Sequence, residues 1–382
     1  MAKYSKSDAR AWARENLRGQ WSTIMTPFTP DDELDENGLR KNVRYIRSLG
    51  TRGGGCTWGM GEFWSLTSEE RTRIYDIVSD EAGGGWLIAA HVSHTSAREM
   101  IALADHAAAV GFDLLIVAPP YFVTRKEQQV VEYVRLLAES TSLAIMFYNS
   151  PQFGIVLSPQ GLRRICQIPN VVGVKEASFN QQISIETHLS LGRESIISTP
   201  DEWIFWKEKE LGFHQQVMFA NTSDWRFDTP EENYYTQFVD KATRGDLDEK
   251  LYDTHLRPIK QLSDKWWAST MKKFGGALPV PLVKYWGELM GLKAGPVRPP
   301  LGNLSPDEKE TLRNELRELR PQVFLNPASK RNHNSNGHPS IHVLERPRHA
   351  FASSDNGQTQ FSGMMLLVSV QNLAEAIEAD KG

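Results

Sequence analysis

The chain has 382 residues, which exceeds one ordinary domain of about 100 to 200 residues but suits a single α/β barrel of about 250 residues with additions. Its 43 basic and 47 acidic residues give a formal charge of −4, which argues against nucleic acid or an anionic membrane surface as a partner. Hydrophobic residues make up 40% and charged residues 24%, so the chain can bury a sizeable core and small-molecule chemistry is the better expectation.

The compartment follows from the cysteines and from the apolar runs. Cys56 and Cys166 lie far apart and in no metal-ligand or redox spacing, which excludes a disulfide framework and a zinc ribbon. Residues 1–19 lack the apolar stretch of a signal peptide, and no run of about 18 apolar residues occurs. We therefore expect a soluble, cytoplasmic protein without a membrane partner.

Strand and helix patterns alternate from residue 21, after an N-terminal extension over residues 1–20. The predicted strands are Ser22–Met25, Gly53–Thr57, Trp86–Val92, Leu114–Ala118, Leu143–Tyr148, Val171–Glu176, Ser195–Thr199 and Gln215–Ala220. The predicted helices are Glu36–Ser48, Ser68–Glu81, Ser96–Val110, Lys126–Ser140, Pro159–Gln167, Ser184–Leu191, Glu202–Leu211 and Glu231–Thr243. Eight such pairs in strict alternation predict an α/β protein with a closed (β/α)8 TIM barrel, its core over residues 21–228, in preference to an open doubly wound sheet.

Residues 229–320 are predicted to hold the last barrel helix and a C-terminal helical appendage. The appended helices are expected at Lys250–Phe274, Val280–Met290 and Ser305–Leu319, with Ser305 as an N-cap. Residues 321–382 are polar and rich in Gly, Asn and Ser, which predicts a mostly disordered tail. The tail histidines match no tight metal motif, and the chain shows no P-loop or dinucleotide fingerprint, so we expect neither a metal site nor a nucleotide site.

Lys175 stands inside the otherwise apolar predicted strand Val171–Glu176. Period-two alternation puts Val172 and Val174 on one face and Lys175 on the other, so the amine would point into the barrel. Burial lowers the pKa of an amine and yields the neutral form that attacks a ketone to make an imine. The alternative is a lysine that reaches solvent from the strand end or pairs with Glu176.

Tyr148 ends the fifth predicted strand, at the edge where barrel enzymes keep their active sites. A phenol within hydrogen-bond reach of an imine can carry protons to and from the reacting oxygen atoms. The alternative is a packing residue with a satisfied hydroxyl. His91 and His94, at the end of the third strand, lie near the predicted mouth and are further candidates for substrate contact.

Six ordered motifs give the chain a family resemblance over about residues 20 to 320. They are Thr26-Pro-Phe28, Gly61-Glu62 with Leu66-Thr67, Pro119-Pro-Tyr121, Tyr148-Asn149-x-Pro151, Gly173-Val-Lys175 and Ala294-Gly-Pro-Val-Arg-Pro-Pro300. With these motifs the chain resembles the dihydrodipicolinate synthase and N-acetylneuraminate lyase family of class I, pyruvate-dependent aldolases.

The resemblance implies a mechanism and its components. Lys175 would form the imine with a 2-oxo acid such as pyruvate, Tyr148 would relay protons, and Tyr121 would complete the relay, sometimes across a subunit contact. The covalent imine takes the place of a cofactor, so none is expected. The partners implied are a 2-oxo acid, an aldehyde and further copies of the chain, commonly in a homotetramer.

The chain departs from the family pattern where the substrate carboxylates would bind. Gly59 and Met60 replace the usual pair of threonines, which leaves main-chain N–H groups and the hydroxyl of Thr57 as the expected donors. Phe153 stands in a shortened turn that lacks the arginine of the lysine-biosynthesis enzymes. Val217, on the eighth strand, completes the residues expected to line the substrate site.

Aromatic and apolar residues take the place of the missing groups. They are Trp58, Met60, Phe63, Trp64, Phe122, Phe153, Trp203 and Trp206. A pocket of this kind suits a bulky aldehyde, as in the aromatic hydratase-aldolases of the family, and the shortened turn without its arginine also resembles that branch. The resemblance therefore implies a hydratase-aldolase that releases pyruvate and an aromatic or bulky aldehyde. The alternatives are a 4-hydroxy-tetrahydrodipicolinate synthase, a 2-keto-3-deoxy sugar-acid aldolase or dehydratase, and a catalytically retired ligand-binding barrel.

Overall fold

The structure is a computed structural model that describes residues 4–220 and 222–325. Its eight strands are β1 (Gly19–Thr23), β2 (Gly53–Cys56), β3 (Leu87–His91), β4 (Leu114–Val117), β5 (Ala144–Asn149), β6 (Val171–Glu176), β7 (Ile196–Ser198) and β8 (Val217–Phe219). All neighbouring pairs are parallel, in the order β7-β6-β5-β4-β3-β2-β1-β8. With helices between the strands, this is the predicted (β/α)8 TIM barrel.

Side chains complete the ring between β7 and β8. The main-chain N–H of Phe219 donates to Ser198 Oγ at 2.9 Å. Gln215 accepts from the Thr199 N–H at 2.7 Å and donates to the Thr199 carbonyl at 3.1 Å. The barrel is therefore closed at this seam by a serine and a glutamine in addition to the strand pairing elsewhere.

Helices surround the barrel and extend beyond it. The first ten are α1 (Ala9–Asn16), α2 (Glu36–Ser48), α3 (Ser68–Ala82), α4 (Ala97–Ala109), α5 (Glu127–Ser140), α6 (Pro159–Cys166), α7 (Gln181–Leu191), α8 (Trp203–Leu211), α9 (Ser223–Phe227) and α10 (Tyr234–Ala242). The C-terminal helices are α11 (Glu249–Leu251), α12 (Arg257–Lys273), α13 (Val280–Met290), α14 (Pro306–Leu319) and α15 (Pro321–Leu325). Ser305 caps α14 as expected, in a capping box with Glu308. Helix α15 occupies the first five residues of the tail predicted over residues 321–382, so that start of the tail is ordered, contrary to the prediction. The rest of the predicted tail, residues 326–382 with its four histidines, lies outside the described residues.

The N-terminal residues fold against the barrel. Helix α1 contributes Ala9 and Ala13 to the apolar cluster inside the barrel, and Leu17, which caps the end of the helix, joins them. Arg10 Nε donates to the Pro169 carbonyl at 3.1 Å, and Arg14 Nη2 donates to the Glu194 carbonyl at 3.0 Å. Because both carbonyls lie just before strands begin, α1 covers the amino-terminal end of the barrel, opposite the mouth.

Two apolar clusters divide the core. The inner cluster fills the barrel with the strand residues Trp21, Ala89, Leu114, Ile116, Ala144, Met146, Tyr148, Val172, Ile196, Val217 and Phe219, joined by Trp58, Phe63 and Phe153. The outer cluster lies between strands and helices and includes Cys56, Ile88, Ala90, Leu115, Val117, Ile145, Phe147, Val171, Val174 and Ile197. The alternation of side chains along each strand therefore separates the barrel interior from the helical layer.

The first strand differs from its prediction. It runs from Gly19 to Thr23, whereas Ser22–Met25 was predicted. Its outward face is polar because Gln20 donates to the buried Asp224 of α9 at 3.3 Å. A polar residue can be buried here only because of this partner, about 200 positions away in the chain. The local sequence therefore lacks the apolar residue by which the strand would be recognised.

A bulge in β6 breaks the predicted alternation. Ile145 pairs with Val171 but Met146 pairs with Gly173, so Val172 is an extra residue on β6. Val172 therefore joins the inner cluster while Val174 packs outward. The expectation that both valines share a face was wrong, although Lys175 still alternates with Val174. Gly173 is required because β7 approaches closely at this point, and a β-carbon there would lie 1.9 Å from the Ile196 carbonyl oxygen.

Candidate active site

Lys175 and Tyr148 lie side by side at the carboxyl-terminal ends of β6 and β5. The two residues are partners in the register of these strands. Lys175 Nζ lies 4.7 Å from the centre of the Tyr148 ring and 4.6 Å from the nearest Trp58 ring centre. Both side chains are buried, Lys175 with 1% of its surface exposed and Tyr148 with 4%. The structure therefore brings the predicted amine and phenol together inside the mouth of the barrel.

Burial sets the charge of both groups. It lowers the pKa of Lys175 from 10.5 to about 7 and raises the pKa of Tyr148 from 10.0 to about 12. Near neutral pH a large fraction of the amine is therefore uncharged and nucleophilic, while the phenol keeps its proton. This is the state that attack on a ketone requires.

Glu176 does not take the role of ion-pair partner that the sequence left open. Its carboxylate accepts hydrogen bonds from the Ser178 N–H at 3.1 Å, from Asn149 Nδ2 at 3.4 Å and from the Ser184 hydroxyl. These donors belong to β5 and to the segment after β6, and they satisfy the carboxylate on the face of β6 away from Lys175. Glu176 fixes the end of the strand that carries the lysine.

Three glycines of β2 make room for three tryptophans. A β-carbon at Gly53 would lie 2.8 Å from the Trp21 ring, one at Gly54 would lie 2.2 Å from the Trp86 ring, and one at Gly55 would lie 1.9 Å from the Trp58 ring. Trp21 and Trp58 belong to the inner cluster, and Trp86 belongs to the outer one. The glycine run thus lets an indole enter the barrel beside Lys175.

A group of aromatic side chains packs next to the Tyr148 ring. Phe153 contacts the Tyr148 ring at 5.3 Å and lies parallel to Phe63, with 5.9 Å between ring centres. Phe63 also contacts the rings of His91 at 4.6 Å and Tyr121 at 5.8 Å. Tyr121 therefore joins this group through Phe63.

Thr57, which directly follows β2, and His91, which ends β3, form a reciprocal pair. The Thr57 hydroxyl donates to the His91 carbonyl at 3.1 Å, and His91 Nδ1 lies 2.8 Å from the Thr57 carbonyl. The Thr57 hydroxyl, expected to face substrate, thus serves a main-chain acceptor and lies 3.5 Å from the Tyr75 hydroxyl. Thr57 has a left-handed φ of 53°, which an L-residue adopts only when the surrounding contacts hold it.

A buried ion pair joins the loop after β2 to helix α13. Lys284 Nζ lies 2.6 Å from Glu62 Oε1, with side-chain exposures of 2% and 1%, and it donates to the Pro296 carbonyl at 2.7 Å. The Arg298 N–H donates to Glu62 at 3.3 Å, and the Arg298 guanidinium binds Glu70. The C-terminal motif therefore fixes the loop that carries Trp58.

The remaining predicted site residues lie at different positions along the barrel axis and on different faces of the sheet. Gly59 and Met60 open a 3-10 turn over Gly59–Gly61, and the Met60 side chain packs into the outer cluster. Val217 begins β8 and pairs with Gly19 near the amino-terminal end of the barrel. The residue of β8 that contacts Trp58 is Phe219, with ring centres 5.9 Å apart. The expected contact of Val217 with substrate therefore has no support in this placement.

Several of the predicted aromatic residues lie away from the lysine. Trp203 and Trp206 pack among the C-terminal helices, where Trp206 contacts Tyr252 at 4.9 Å. Phe122 is 81% exposed on the loop after β4. His94 accepts a local hydrogen bond from Ser96 at 2.9 Å. Within the inner cluster, the predicted aromatic residues near the lysine are Trp58, Phe63 and Phe153.

Two residues near the site could not be predicted from the sequence. Lys284 has no motif of its own, and only its contact with Glu62, 222 positions away, gives it a role. Arg125, after β4, lies beside the turn that holds Phe153, because a β-carbon on Gly154 would be 3.9 Å from Arg125 Nη1. Neither position could be found without the fold.

Metal and membrane features are absent from the part of the chain that the structure describes. Over residues 4–220 and 222–325, no cluster of three or more histidine, cysteine or acidic side chains could hold a metal ion. None of the helices within those ranges combines the length and the apolar character needed to cross a bilayer.

The chain is similar to curated proteins over most of its length. The sequence model of the Dihydrodipicolinate synthetase family matches residues 16–319. A 4-hydroxy-tetrahydrodipicolinate synthase of Methanothrix thermoacetophila is 28% identical over 306 residues, covering 79% of this chain and 97% of that protein. A synthase of the same name from Chlorobium phaeobacteroides is 28% identical over 310 residues, covering 80% and 98%.

Solved structures share the same architecture. YagE, an E. coli prophage protein of the dihydrodipicolinic acid synthase family in complex with pyruvate, has a TM-score of 0.65 at 23% identity, over 81% of this chain and 99% of its own. The dihydrodipicolinate synthase of Acinetobacter baumannii, also complexed with pyruvate, has a TM-score of 0.67 at 23% identity, over 79% and 98%. At this identity the likeness establishes the fold.

Proposed function

The chain belongs to the dihydrodipicolinate synthetase family, class I lyases that form a covalent lysine–pyruvate imine without a separate cofactor, and on that premise we propose that Lys175 is the imine-forming lysine. The observation that carries this proposal is the buried contact of Lys175 Nζ with the Tyr148 ring at 4.7 Å. The family membership sets aside the alternative of a retired barrel.

The chemistry follows from the two groups. The neutral amine of Lys175 attacks the C2 carbonyl of the 2-oxo acid, and the Tyr148 phenol donates a proton to the oxygen that leaves as water. The resulting iminium draws the electron pair of the C3–C4 bond towards C2. As that bond breaks, the C4 hydroxyl gives its proton to the Tyr148 phenolate left by imine formation, so that an aldehyde is released and an enamine remains. The enamine takes up a proton at C3, and hydrolysis of the imine then frees pyruvate.

We assign the substrate carboxylate to the main chain around Gly59 and Met60. The hydrogen bonds of their 3-10 turn begin with the Gly61 N–H, which donates to the Trp58 carbonyl at 2.9 Å. The first N–H groups of a helical turn have no partner within it and suit an anion. This arrangement replaces the hydroxyl pair that the family usually supplies.

The aromatic rings next to Tyr148 would contact the aldehyde half of the substrate, and they support a hydratase-aldolase. Phe63, Phe153 and Tyr121 meet edge to face or in parallel above Tyr148, and such rings favour an apolar or aromatic group. We therefore propose cleavage of a 2-oxo acid adduct to pyruvate and an aromatic or bulky aldehyde.

The second candidate is 4-hydroxy-tetrahydrodipicolinate synthesis, the name carried by the two curated relatives described above. One observation favours it as well. Arg125 Nη1 lies beside Gly154, in the turn where the lysine-biosynthesis enzymes place their arginine, so a guanidinium from the preceding loop could bind a second carboxylate.

Product analysis separates the two candidates. Purified enzyme is given pyruvate with either aspartate semialdehyde or benzaldehyde, and products are identified by mass spectrometry. A hydratase-aldolase turns over benzaldehyde, and replacing Phe153 by alanine lowers that turnover more than replacing Arg125 by glutamine. Turnover of aspartate semialdehyde alone, lost in Arg125→Gln and kept in Phe153→Ala, would establish the synthase instead.

We also propose a homotetramer in which the loop after β4 meets another copy. Phe122 in this loop is 81% exposed and has a left-handed φ of 78°, so the backbone holds a large apolar ring towards solvent next to Tyr121. Light scattering on the purified chain tests the assembly, and a monomer at working concentration would contradict it.

A further inference from the structure

His91 is a buried polar residue near Lys175 that the proposed mechanism does not use. Its carbonyl accepts hydrogen bonds from three side chains, the Thr57 hydroxyl at 3.1 Å, the Tyr75 hydroxyl at 2.7 Å and the Arg71 guanidinium. All three donors are buried. The main chain at the end of β3 is therefore fixed from the outside of the barrel.

The imidazole is fixed from the same direction. His91 Nδ1 lies 2.8 Å from the Thr57 carbonyl, and a carbonyl can only accept, so Nδ1 carries the proton. Thr57 itself is held in a left-handed conformation, with a φ of 53°. The neutral ring thus keeps its lone pair on Nε2, the atom that leads away from Thr57.

His91 Nε2 faces the barrel interior without a hydrogen-bond partner among the described residues. The side chain is fully buried, and its ring lies 4.6 Å from Phe63 and 6.1 Å from Phe153, both in the inner cluster. Along β3, Ala89 packs inward and Ala90 outward, so His91 shares the inward face. A buried acceptor left in this state loses the free energy of a hydrogen bond unless a ligand supplies the donor.

Burial keeps this ring neutral. It lowers the pKa of His91 well below 6.5, and the Arg71 guanidinium lowers the pKa further, as does Lys175 when its amine is protonated, against the opposing bond to Thr57. These are the groups that face the ring from α3, from β6 and from the end of β2. The lone pair on Nε2 is therefore present throughout the pH range in which the enzyme would work.

We propose that His91 Nε2 accepts a hydrogen bond from a hydroxyl group on the aldehyde half of the substrate, next to the rings of Phe63 and Phe153. This inference rests on the proposed function, because it places that half of the adduct beside the Lys175 imine. Two hydroxyls have the required chemistry: the one on the carbon that becomes the aldehyde, and a ring hydroxyl of an aromatic aldehyde. His91 is thus assigned as a substrate-binding residue that selects a hydroxyl donor.

Two substitutions separate recognition from structure. In His91→Asn, the amide nitrogen can still donate to the Thr57 carbonyl from the position of Nδ1, but no acceptor remains at the position of Nε2. In His91→Gln, the amide oxygen reaches the position of Nε2 while the bond to Thr57 is lost. Both variants are compared with the wild-type chain for cleavage of the pyruvate adducts of benzaldehyde and of 2-hydroxybenzaldehyde, and for borohydride trapping of pyruvate.

We expect His91→Asn to lower kcat/KM by about 10- to 100-fold, the effect of losing one buried hydrogen bond, and His91→Gln to recover most of the loss. Trapping of pyruvate stays normal in both variants. A loss confined to the 2-hydroxybenzaldehyde adduct identifies the ring hydroxyl, and an equal loss with both adducts identifies the hydroxyl on the cleaved carbon. In the wild-type chain, the nitrogen-15 NMR signal of His91 Nε2 moves upfield when the adduct binds.

Wild-type kinetics in His91→Asn with both adducts would overturn the inference, as would an Nε2 signal that the adduct does not move. Equal losses in His91→Asn and His91→Gln would also overturn it, because they would indicate a structural role only. In each of these cases normal pyruvate trapping leaves the proposed function intact. If the wild-type chain trapped no pyruvate, the proposed function would fail first and this inference with it.

Discussion

Trp58 lies directly over Gly55 inside the barrel, so close that a β-carbon on Gly55 would come within 1.9 Å of Trp58 Cζ2. The indole takes the space that a side chain on β2 would fill, and one of its rings approaches Lys175 Nζ to 4.6 Å. The glycine and the tryptophan therefore act together to shape the wall next to the reacting amine.

Replacing Gly55 by alanine should destabilise the protein and displace Trp58. Overpacking of this kind typically costs about 1–3 kcal/mol of unfolding free energy. Urea unfolding followed by tryptophan fluorescence measures the loss. Gly85→Ala is the matched control, because nothing lies within 4 Å of a β-carbon there, and its stability should change little. Equal stability of Gly55→Ala and the wild-type chain would show that the indole moves aside without cost.

The placement of Lys175 and Tyr148 could be predicted because it depends only on the strand that carries each residue and on the alternation of side chains along that strand. The contact between Trp58 and Gly55 could not be predicted in the same way. A tryptophan after a glycine run is compatible with packing outside the barrel, and only the register of β1, β2 and β3 shows which indole meets which glycine.

Removal of the Tyr148 hydroxyl should slow proton transfer with little effect on the fold. In Tyr148→Phe the ring keeps its contact with Phe153 at 5.3 Å, while the relay to the departing oxygen is lost. We expect kcat to fall by about 10²- to 10⁴-fold, the usual contribution of a positioned acid or base. Steady-state kinetics test this, with circular dichroism as the check on folding. A variant as active as the wild-type chain would exclude the phenol as the proton carrier.

The depressed pKa of Lys175 makes stability depend on pH. Between about pH 7 and pH 10 the folded chain holds this amine neutral while the unfolded chain protonates it, so the unfolded state binds more protons and stability rises with pH. The slope from this one group approaches about 1.4 kcal/mol per pH unit at most.

Lys175→Met lacks this group and isolates its contribution. The difference in unfolding free energy between the wild-type chain and the variant should change in favour of the wild-type chain as the pH rises from about 7 to about 9. Urea titrations at several pH values measure it. Parallel curves would show that the amine is not held neutral in the folded state.

Breaking the buried pair of Glu62 and Lys284 should be costly. Lys284→Met leaves the Glu62 carboxylate buried without its ammonium partner, which typically costs about 3–5 kcal/mol. Adding Glu62→Gln removes the stranded charge and should recover part of the loss. The exposed pair of Lys207 and Glu210 is the control, since Lys207→Met should cost no more than about 1 kcal/mol. Equal losses in the two single variants would contradict the role given to the buried pair.

Long-range contacts account for most of what the sequence could not predict. The alternation of strands and helices follows from local periodicity, and Ser305 was recognisable as a cap from neighbouring residues. The start of β1 depends on Asp224, the bulge in β6 depends on pairing with β5, and the role of Lys284 depends on Glu62. His91 was visible as a candidate, but its tautomer depends on the Thr57 carbonyl.

Borohydride reduction in the presence of pyruvate tests the central claim, that Lys175 is the nucleophile. The wild-type chain should gain the mass of one reduced pyruvate on the peptide that contains Lys175, and Lys175→Met should gain none. The rate of trapping should fall as the pH drops below about 7, because the amine is then protonated. An unmodified wild-type chain, or an adduct on another lysine such as Lys284, would contradict the account.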